Sequence, residues 1–504
     1  MKYESTRGSK NYQSSTSAII RGIAEDKGLY VPCCIPELPL TIEEMKGMSY
    51  RQIAEAVIHA YFDEYTDREM KYCVEGAYDS KFEAEDIVPV VHKGGAWFLE
   101  LYHGKTAAFK DMALSILPYL MTTACRKEGE KDGICILTAT SGDTGKAALE
   151  GFAGVEGTEI IVFYPEKGVS QVQQRQMVSQ KESNTHVFAI RGNFDDAQTG
   201  VKKIFADEVM NKKLAGMGIK LSSANSINIG RLVPQVAYYV YSYVKLVEEG
   251  AIRPGETMNV VVPTGNFGNI LAAYLAGEMG IPVGKLICAS NENKVLTDFI
   301  NTGVYDARRE FRLTNSPSMD ILISSNLERL IYLLSGRDGE KVKEWMAELD
   351  ENKVYEVSDK VKEGLKDFYG GFCTEKETLD TISRMWKEEG YLMDTHTAVA
   401  YKVYRDYVRE TGDSRPAVIA STASAYKFAQ SVAGACGLDK GKVALLSGTS
   451  GEPDGFDYVR ALEAETGVKV PSGLKDLDKK PVVHKGVCDV SDMPEAVLEA
   501  LKNE

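Results

Sequence analysis

The chain has 504 residues and a formal net charge of −14, with 44% hydrophobic and 26% charged residues. This composition is typical of a globular protein, and the length predicts more than one domain. The acidic balance argues against a nucleic-acid-binding surface, although it leaves room for a local basic pocket. No apolar run reaches the roughly 18 residues that a membrane-spanning helix requires, so we expect neither a nucleic-acid nor a membrane partner.

The cysteines and histidines indicate a reducing compartment and no metal site. The nine cysteines are scattered without a C-x-x-C pair, and the six histidines show no metal-ligand spacing. The first 15 residues are polar and lack the apolar core of a signal peptide. Because disulfide scaffolds belong to oxidising compartments, the sequence predicts a cytoplasmic protein with free thiols.

The chain divides into four segments by pattern. Residues 1–95 are predicted to form an N-terminal unit, with helical periodicity over 41–62. Residues 96–300 alternate between apolar strands and helices, which predicts parallel sheet covered by helices on both faces. The strands are expected at 134–140, 159–165, 186–192 and 258–265, and the helices at 195–210 and 231–247.

The remaining two segments differ from this core and from each other. Residues 301–395 are helix-rich and charged, which indicates a helical insertion with a solvated face. In residues 396–504 the alternation returns, with a strand at 417–422, a helix at 426–435 and a strand at 443–451. We expect this last segment to complete the core and end in a peripheral tail.

Lys110 is the first candidate for chemistry. It lies between Phe109 and Asp111 in LYHGKTAAFKDMAL (101–114), where a strand and turn give way to a helix. Burial at such a junction lowers the pKa of an amine and makes it a nucleophile. The alternative is a lysine whose stem packs on the helix while its charge stays in water.

Two loops between a strand and a helix are candidate anion sites. SGDTGKAA (141–148) and VPTGNFGNILAA (262–273) each follow an apolar strand and open a helix, so backbone N–H groups and the helix dipole can face an anion. The second loop matches neither a P-loop nor a dinucleotide-binding motif. Either loop could also be no more than a tight connection between strand and helix.

Together, a reactive lysine and a phosphate-holding loop at the strand ends of one sheet suit pyridoxal phosphate. This cofactor needs an amine for a Schiff base and an anchor for its phosphate. A nicotinamide dehydrogenase is disfavoured, because no dinucleotide glycine pattern follows the first strand.

Several motifs in order identify a family resemblance over nearly the whole chain. The chain resembles the threonine synthase family, within the tryptophan-synthase-β-like group of pyridoxal-phosphate enzymes of fold type II. The motifs are STRG, GLYVP, HGKTAAFKD, TATSGDTG, NSINIGRLVPQ, VPTGNFGN, SPSMDILISSNLERL, DTHTAVA and STASAYKF. The resemblance implies an α/β fold of two open, largely parallel sheets flanked by helices, with an N-terminal unit and a helical insertion.

The same resemblance implies roles for individual residues. Lys110 would be the catalytic lysine that carries the Schiff base, and Thr422 would be a neutral partner of the pyridine nitrogen. The cofactor phosphate would be held by Gly265, Asn266, Phe267, Gly268 and Asn269. Substrate contacts would come from Lys105, Ser141, Asp143, Thr144, Asn225, Arg231, Ser324, Asn326 and Arg329, with Ser226 and Asn228 nearby.

Two motifs depart from the family pattern. Lys105 stands where the family has the proline of H-G-P-T, and Ser424 and Ala425 stand where T-A-H-P-A-K-F has histidine and proline. Substrate contacts near these positions are therefore open. Lys105 either helps to hold a phosphorylated substrate or is simply solvated.

The resemblance implies a lyase that converts O-phospho-L-homoserine and water to L-threonine and phosphate, the last step of threonine biosynthesis. The alternatives are another fold type II enzyme, such as a threonine or serine dehydratase, and a non-catalytic paralogue that binds a phosphorylated amino acid. The expected partner is a small-molecule substrate, and the expected assembly is a monomer or homodimer.

Overall fold

The computed structural model describes residues 1–140 and 142–502, and its strands form two large open sheets and two small ones. In chain order the strands are β1 (Lys2–Ser5), β2 (Gln13–Ser14), β3 (Tyr30–Pro32), β4 (Val90–Lys93), β5 (Ala96–Glu100), β6 (Gly133–Ala139), β7 (Thr158–Pro165), β8 (Thr185–Ile190), β9 (Ile219–Ser222), β10 (Met258–Pro263), β11 (Val283–Ser290), β12 (Val304–Asp306), β13 (Val354–Glu356), β14 (Phe368–Phe372), β15 (Ala417–Ser421) and β16 (Gly486–Cys488).

Helices cover these sheets, and within the described ranges none is long and apolar enough to cross a membrane. In chain order they are α1 (Ser15–Arg21), α2 (Ile42–Met45), α3 (Tyr50–Tyr61), α4 (Asp67–Ala77), α5 (Lys110–Leu114), α6 (Leu117–Glu128), α7 (Asp143–Phe152), α8 (Gln171–Val178), α9 (Phe194–Ala206), α10 (Glu208–Gly216), α11 (Ile229–Leu232), α12 (Pro234–Glu248), α13 (Gly268–Glu278), α14 (Val295–Thr302), α15 (Leu327–Leu334), α16 (Gly339–Asn352), α17 (Asp359–Gly364), α18 (Glu375–Glu389), α19 (Thr395–Thr411), α20 (Ala429–Ala435), α21 (Lys440–Ser447), α22 (Gly455–Thr466) and α23 (Met493–Ala500).

The larger sheet has the strand order β14-β11-β10-β15-β5-β4, and every pair is parallel except β5 with β4 at the edge. Every residue of β10 and β15 is buried, as expected for apolar strands covered on both faces. The carboxyl ends of β5, β10 and β15 therefore meet at one edge of the sheet. This edge is where open α/β sheets bind their ligands.

The second large sheet has the order β16-β8-β7-β6-β9 and is parallel throughout. Helix α7, which follows β6, packs directly on α5, which follows β5 of the larger sheet. A methyl group added at Gly151 in α7 would lie 2.1 Å from the carbonyl oxygen of Leu114 in α5, so only glycine permits this contact. The close approach of α5 and α7 joins the helix that follows β5 of the larger sheet to the helix that follows β6 of the second sheet.

The N-terminal unit is anchored to α15 by a partly buried ion pair. The Arg7 guanidinium donates Nε and Nη2 to the two carboxylate oxygens of Glu328, at 3.0 and 2.9 Å. The Thr6 hydroxyl donates to the same carboxylate at 2.5 Å and accepts from the Leu29 amide at 2.8 Å. The STRG motif therefore joins the β1–β3 sheet to the helix that follows the SSN sequence.

The predicted fold class is confirmed, since both large sheets are open, largely parallel and flanked by helices. Strand β14 comes from the helix-rich segment 301–395 and pairs with β11 of the larger sheet. Strand β16 comes from the C-terminal tail and pairs with β8. The division of the chain at residues 95, 300 and 395 stays a prediction.

Several predicted elements differ in the structure. The helical stretch expected at 41–62 is divided into α2 and α3, with residues 46–49 between them. The strand expected at 443–451 is wrong, because α21 occupies most of it: Asp439 caps the helix at the Lys442 amide and Gly448 ends it in the left-handed region. The helix expected at 195–210 is divided at Asp207, which ends α9 and caps α10. The helix expected at 231–247 is divided before Pro234, because proline favours a first helical position over an interior one.

We expect Arg7→Met to destabilise the protein by about 1–3 kcal/mol, because Glu328 would keep a mostly buried carboxylate without its bidentate partner. Chemical denaturation measures this change. Arg21→Met is the matched control, since Arg21 and Glu25 form an exposed pair whose loss should cost less than about 0.5 kcal/mol. Equal effects in the two variants would contradict the anchoring role of Arg7.

Candidate active site

The loop before Lys110 is fixed by a buried carboxylate. Asp111 accepts from the Thr106 amide at 2.8 Å and from the Thr106 hydroxyl at 2.5 Å. A methyl group added at Gly104 would lie 2.5 Å from the Asp111 carboxylate, so glycine is required at this turn. Burial raises the pKa of Asp111 to about 6, and the hydrogen bonds from Thr106 oppose that rise. The HGKTAAFKD motif thus forms a closed loop that begins α5 at Lys110.

The same loop is joined to the segment after β15. The Phe109 amide donates to the Thr422 carbonyl at 2.8 Å, and the Ser424 amide donates to the Ala107 carbonyl at 3.0 Å. These two bonds form an isolated antiparallel bridge between Ala108 and Ala423, just beyond the ends of the parallel strands β5 and β15. Lys110 and Thr422 are therefore brought to neighbouring positions at the edge of the larger sheet.

Lys110 lies in a largely buried pocket with a carboxylate and a hydroxyl. Its Nζ is 3.5 Å from Asp143 Oδ2 and 3.4 Å from Ser318 Oγ. Burial lowers the pKa of Lys110, Asp143 partly offsets this, and the positive charges of Lys427 and Arg231 lower it further. The amine is therefore a stronger candidate nucleophile and base than a solvated lysine.

Asp143 is shared by two lysines that come from different parts of the chain. Lys427 Nζ is 2.7 Å from Asp143 Oδ1 and also donates to the Thr106 carbonyl at 3.1 Å. Gln173 and the Ser318 hydroxyl donate to the two carboxylate oxygens at 2.8 and 3.1 Å. Burial alone would raise the pKa of Asp143, but Lys427 and Lys110 hold it well below its usual range. The carboxylate is therefore ionised in the folded protein.

The glycine-rich loop after β10 has the properties of an anion site. Phe267 adopts a left-handed conformation with φ +65°, and α13 begins at Gly268. In the described part of the chain, no protein acceptor pairs with the amides of Asn266, Phe267 or Gly268. The carboxamide nitrogen of Asn269 is buried and also has no partner. Free N–H groups at a helix N-terminus form a site for phosphate.

The carbonyl groups of this loop are held by the segment before α15. The Ser324 hydroxyl donates to the Gly265 carbonyl at 2.7 Å. Asn326 donates its amide and its carboxamide nitrogen to the Asn266 carbonyl, at 3.1 and 3.0 Å. These bonds fix the backbone of the loop and leave its amides free for a ligand.

Arg231 provides a second positive group in the same region. The residue is only 5% exposed, and its Nη1 donates to the Ala224 carbonyl at 2.8 Å. Its Nε is buried without a partner, and burial lowers the pKa of the guanidinium to about 10. A buried charge with an unpaired donor is costly unless an anion compensates it, so Arg231 is a candidate ligand for a second anion.

Comparisons with known proteins identify the family of the chain. Three family models match: threonine synthase N terminus over residues 2–78, pyridoxal-phosphate dependent enzyme over 90–423, and threonine synthase C-terminal over 397–503. The chain belongs to the threonine synthase family of pyridoxal-phosphate-dependent enzymes. The resemblance inferred from the motifs is thereby confirmed.

Individual relatives agree with the family models. The chain is 40% identical to human threonine synthase-like 1 over 83% of its own length but spans only 57% of that relative. It is 38% identical to threonine synthase of Pseudomonas aeruginosa, covering 86% of this chain and 90% of that protein. The PLP-bound threonine synthase structure from Brucella melitensis matches with TM-score 0.86 and 35% identity over 100% of both chains.

Pyridoxal phosphate is the cofactor of this family, and the residues present fit it. The free amides of the 265–269 loop and the unpaired Asn269 nitrogen suit its phosphate. The buried amine of Lys110 suits its aldehyde, and Thr422 lies beside the lysine loop at the end of β15. The individual residue assignments stay predictions.

The other predicted substrate residues fall into three groups. Ser324 and Asn326 hold the carbonyls of the glycine-rich loop, whereas Arg329 donates to the Tyr30 and Ile227 carbonyls and to Asn326. Lys105 and Asn225 are exposed, and Thr144 is half-buried on α7. Ser141 lies outside the described residues.

The sequence pattern assigned no role to three residues that the structure places around Lys110 and Asp143. These are Gln173, Ser318 and Lys427. Ser318 and Lys427 lie inside quoted motifs, SPSMD and STASAYKF, so their presence there was the available signal. Nothing in the sequence pattern links Gln173 to Asp143, because the contact is made only by the fold.

We expect Lys427→Met to raise the pKa of Lys110, because the variant removes a nearby like charge and leaves Lys110 as the remaining cation paired with Asp143. A higher pKa means less neutral amine at a given pH, so the pH midpoint for forming a borohydride-trappable cofactor adduct should move upward. Lys146→Met is the matched control, since Lys146 is equally buried but is paired with Glu150 at 2.7 Å. A downward or absent shift in Lys427→Met would contradict this assignment.

Gly265→Ala is expected to destabilise the protein by about 1–3 kcal/mol and to weaken cofactor binding, because its Cβ would lie 2.5 Å from the Ser318 carbonyl oxygen. Gly268→Ala is the control, since its Cβ meets nothing nearer than the Asn326 side chain at 3.4 Å. Thermal unfolding and cofactor titration measure both effects. Similar stability of the two variants would count against the close packing of Ser318 on the loop.

Proposed function

We propose that the protein has threonine synthase activity and converts O-phospho-L-homoserine and water to L-threonine and phosphate. The observation that carries this proposal is Arg231, which is 5% exposed, has a buried Nε without a partner and has no acidic partner in the described structure. Its positive charge also lowers the pKa of Lys110. The 265–269 loop supplies one anion site, which suits the cofactor phosphate. Arg231 supplies positive charge for a second, and a phosphorylated substrate brings the matching anion.

Lys110 is proposed to transfer protons, and Asp143 is proposed to stabilise the charged form of Lys110. When bound, pyridoxal phosphate supplies the conjugated ring that stabilises negative charge on the substrate carbon next to the amino group. The Lys110 amine then moves protons at Cα and Cβ of the substrate as general base and acid. Asp143 is ionised 3.5 Å from that amine, so it stabilises the ammonium each time Lys110 takes up a proton.

Arg231 is proposed to hold the substrate phosphate and to accept its growing negative charge as it leaves Cγ. Charge-assisted hydrogen bonds from a guanidinium are stronger than neutral ones and suit this role. The burial of Lys110 and Arg231 keeps bulk water away from the reacting carbons, which limits side reactions before the single water adds at Cβ.

We propose that the reaction takes place in a reducing compartment. All nine cysteines are free thiols, which supports a reducing compartment such as the cytoplasm. The assembly, monomer or homodimer, stays a prediction.

The deciding experiment supplies the cofactor-loaded protein with O-phospho-L-homoserine and measures phosphate and threonine together. We expect equal amounts of both products, and none from Lys110→Ala. Ammonia release from threonine without phosphate chemistry would instead identify a dehydratase. Binding of the phosphorylated substrate with no turnover would identify a non-catalytic paralogue.

Arg231→Gln tests the second anion site. We expect kcat/KM for O-phospho-L-homoserine to fall roughly 30- to 100-fold, the loss of about 2–3 kcal/mol that removal of charge-assisted hydrogen bonds produces. Arg253→Gln is the control, because Arg253 is exposed and should leave kcat/KM unchanged. An unchanged kcat/KM in Arg231→Gln would exclude Arg231 as the phosphate ligand.

A further inference from the structure

The SPSMD and DTHTA motifs meet at one hydrogen bond behind the lysine. The backbone amide of Ser318 donates to Nε2 of His396 at 3.1 Å. His396 is 3% exposed and lies in the first turn of α19, and its ring packs against Phe428 with centroids 4.8 Å apart. His396 has no assigned role in the proposed reaction.

The hydrogen bonds of His396 determine its tautomer. A backbone N–H can only donate, so Nε2 must present a lone pair to Ser318. Nδ1 is 2.9 Å from Asp394 Oδ1 and must therefore carry the proton that it donates to this carboxylate. Asp394 is fully buried and also accepts from the His396 amide at 2.8 Å, which fixes the carboxylate at the N-terminus of α19. The imidazole is thus neutral and held in one orientation.

Ser318 connects this histidine to the reactive groups. Its hydroxyl accepts from Lys110 Nζ at 3.4 Å and donates to Asp143 Oδ2 at 3.1 Å. Its carbonyl oxygen lies against Gly265, where a Cβ would approach to 2.5 Å. One residue therefore touches the lysine, its carboxylate partner and the glycine-rich loop.

The segment that carries Ser318 is fixed on both sides by polar contacts. Asp320 accepts from the Thr314 hydroxyl at 2.8 Å and from the Asn291 carboxamide at 2.7 Å. Asn315 pairs with Ser431 and Glu375. Between these anchors, the only described partner of the Ser318 amide is His396.

We propose that Asp394 and His396 are a positioning pair that places the Ser318 hydroxyl between Lys110 and Asp143. The expected loss of turnover rests on the proposed function. The placement of Ser318 by Asp394 and His396 does not. Because Lys110 donates one N–H to Ser318, its remaining N–H groups or lone pair are directed elsewhere in the pocket. Without that fixed acceptor, the amine would be free to turn fully toward Asp143.

Two substitutions separate positioning from packing. His396→Phe keeps an aromatic ring beside Phe428 but removes the acceptor, and His396→Gln restores an acceptor of similar reach. For O-phospho-L-homoserine we expect kcat to fall roughly tenfold in His396→Phe and less than threefold in His396→Gln, with KM within threefold in both. His186→Gln is the control, since His186 pairs with Glu159 in the second sheet and should leave kcat unchanged.

Equal losses in His396→Phe and His396→Gln, with both variants folded, would overturn the proposal, as would full activity in His396→Phe. Hydrogen exchange adds a readout without turnover. Exchange of the segment 316–320 should be faster in His396→Phe than in the wild type and near wild type in His396→Gln. Unchanged exchange in His396→Phe would also overturn it.

The tautomer itself is measurable in the cofactor-free protein by NMR of 15N-labelled histidine, with His396→Gln used to assign the signal. We expect a proton on Nδ1 and none on Nε2 at neutral pH. A protonated Nε2 would overturn the proposal. If the wild type shows no turnover at all, the proposed function fails, whereas the exchange and NMR results still decide the positioning role.

Discussion

The buried carboxylate of Asp143 is the interaction on which the site depends. Asp143 lies in α7, which follows β6 of the second large sheet. Its two lysine partners lie in α5 and in the turn after β15, both of which belong to the larger sheet. A buried carboxylate without a cation would be strongly unfavourable, so the arrangement of the two sheets and the ionisation of the site are stabilised by the same contacts. Gly151 permits the helix contact that brings these groups within reach.

A protein normally pairs its buried polar groups, and this one leaves several unpaired in one region. The amides of the 265–269 loop, the Asn269 nitrogen and Arg231 Nε all lack partners in the described structure. Each unpaired group costs free energy of folding, which a bound anion recovers. Unpaired buried atoms also occur elsewhere, for example the hydroxyls of Tyr50 and Tyr61, but only the loop and Arg231 offer unpaired donors beside the reactive lysine's sheet edge in the described structure. These donors divide the site into an anion-holding loop and a second positive region at Arg231.

The sequence predicted the parts of this architecture that are local and left out the parts that depend on tertiary contact. Apolar runs at 134–140 and 258–265 became β6 and β10, because buried parallel strands need little more than continuous apolar residues. Strand β9 and the helix α21 were missed, since short apolar runs suit either state and caps or neighbouring strands decide between them. Lys110 was identified through its motif, whereas the contact of Gln173 with Asp143 spans 30 residues and has no sequence pattern.

The two departures from the family motifs lie in segments whose backbone is held by hydrogen bonds to other residues. Ser424 replaces the family histidine, and its amide still donates to the Ala107 carbonyl, while its hydroxyl accepts from the Tyr426 amide. The turn that follows forms a short 3-10 helix at Ala425–Phe428, and from it Lys427 reaches Asp143 at 2.7 Å. Lys105 replaces the other proline at an exposed position of a loop that Asp111 already closes. In both places hydrogen bonds to the backbone, rather than the replaced side chains, hold the reactive lysine and its partners in position.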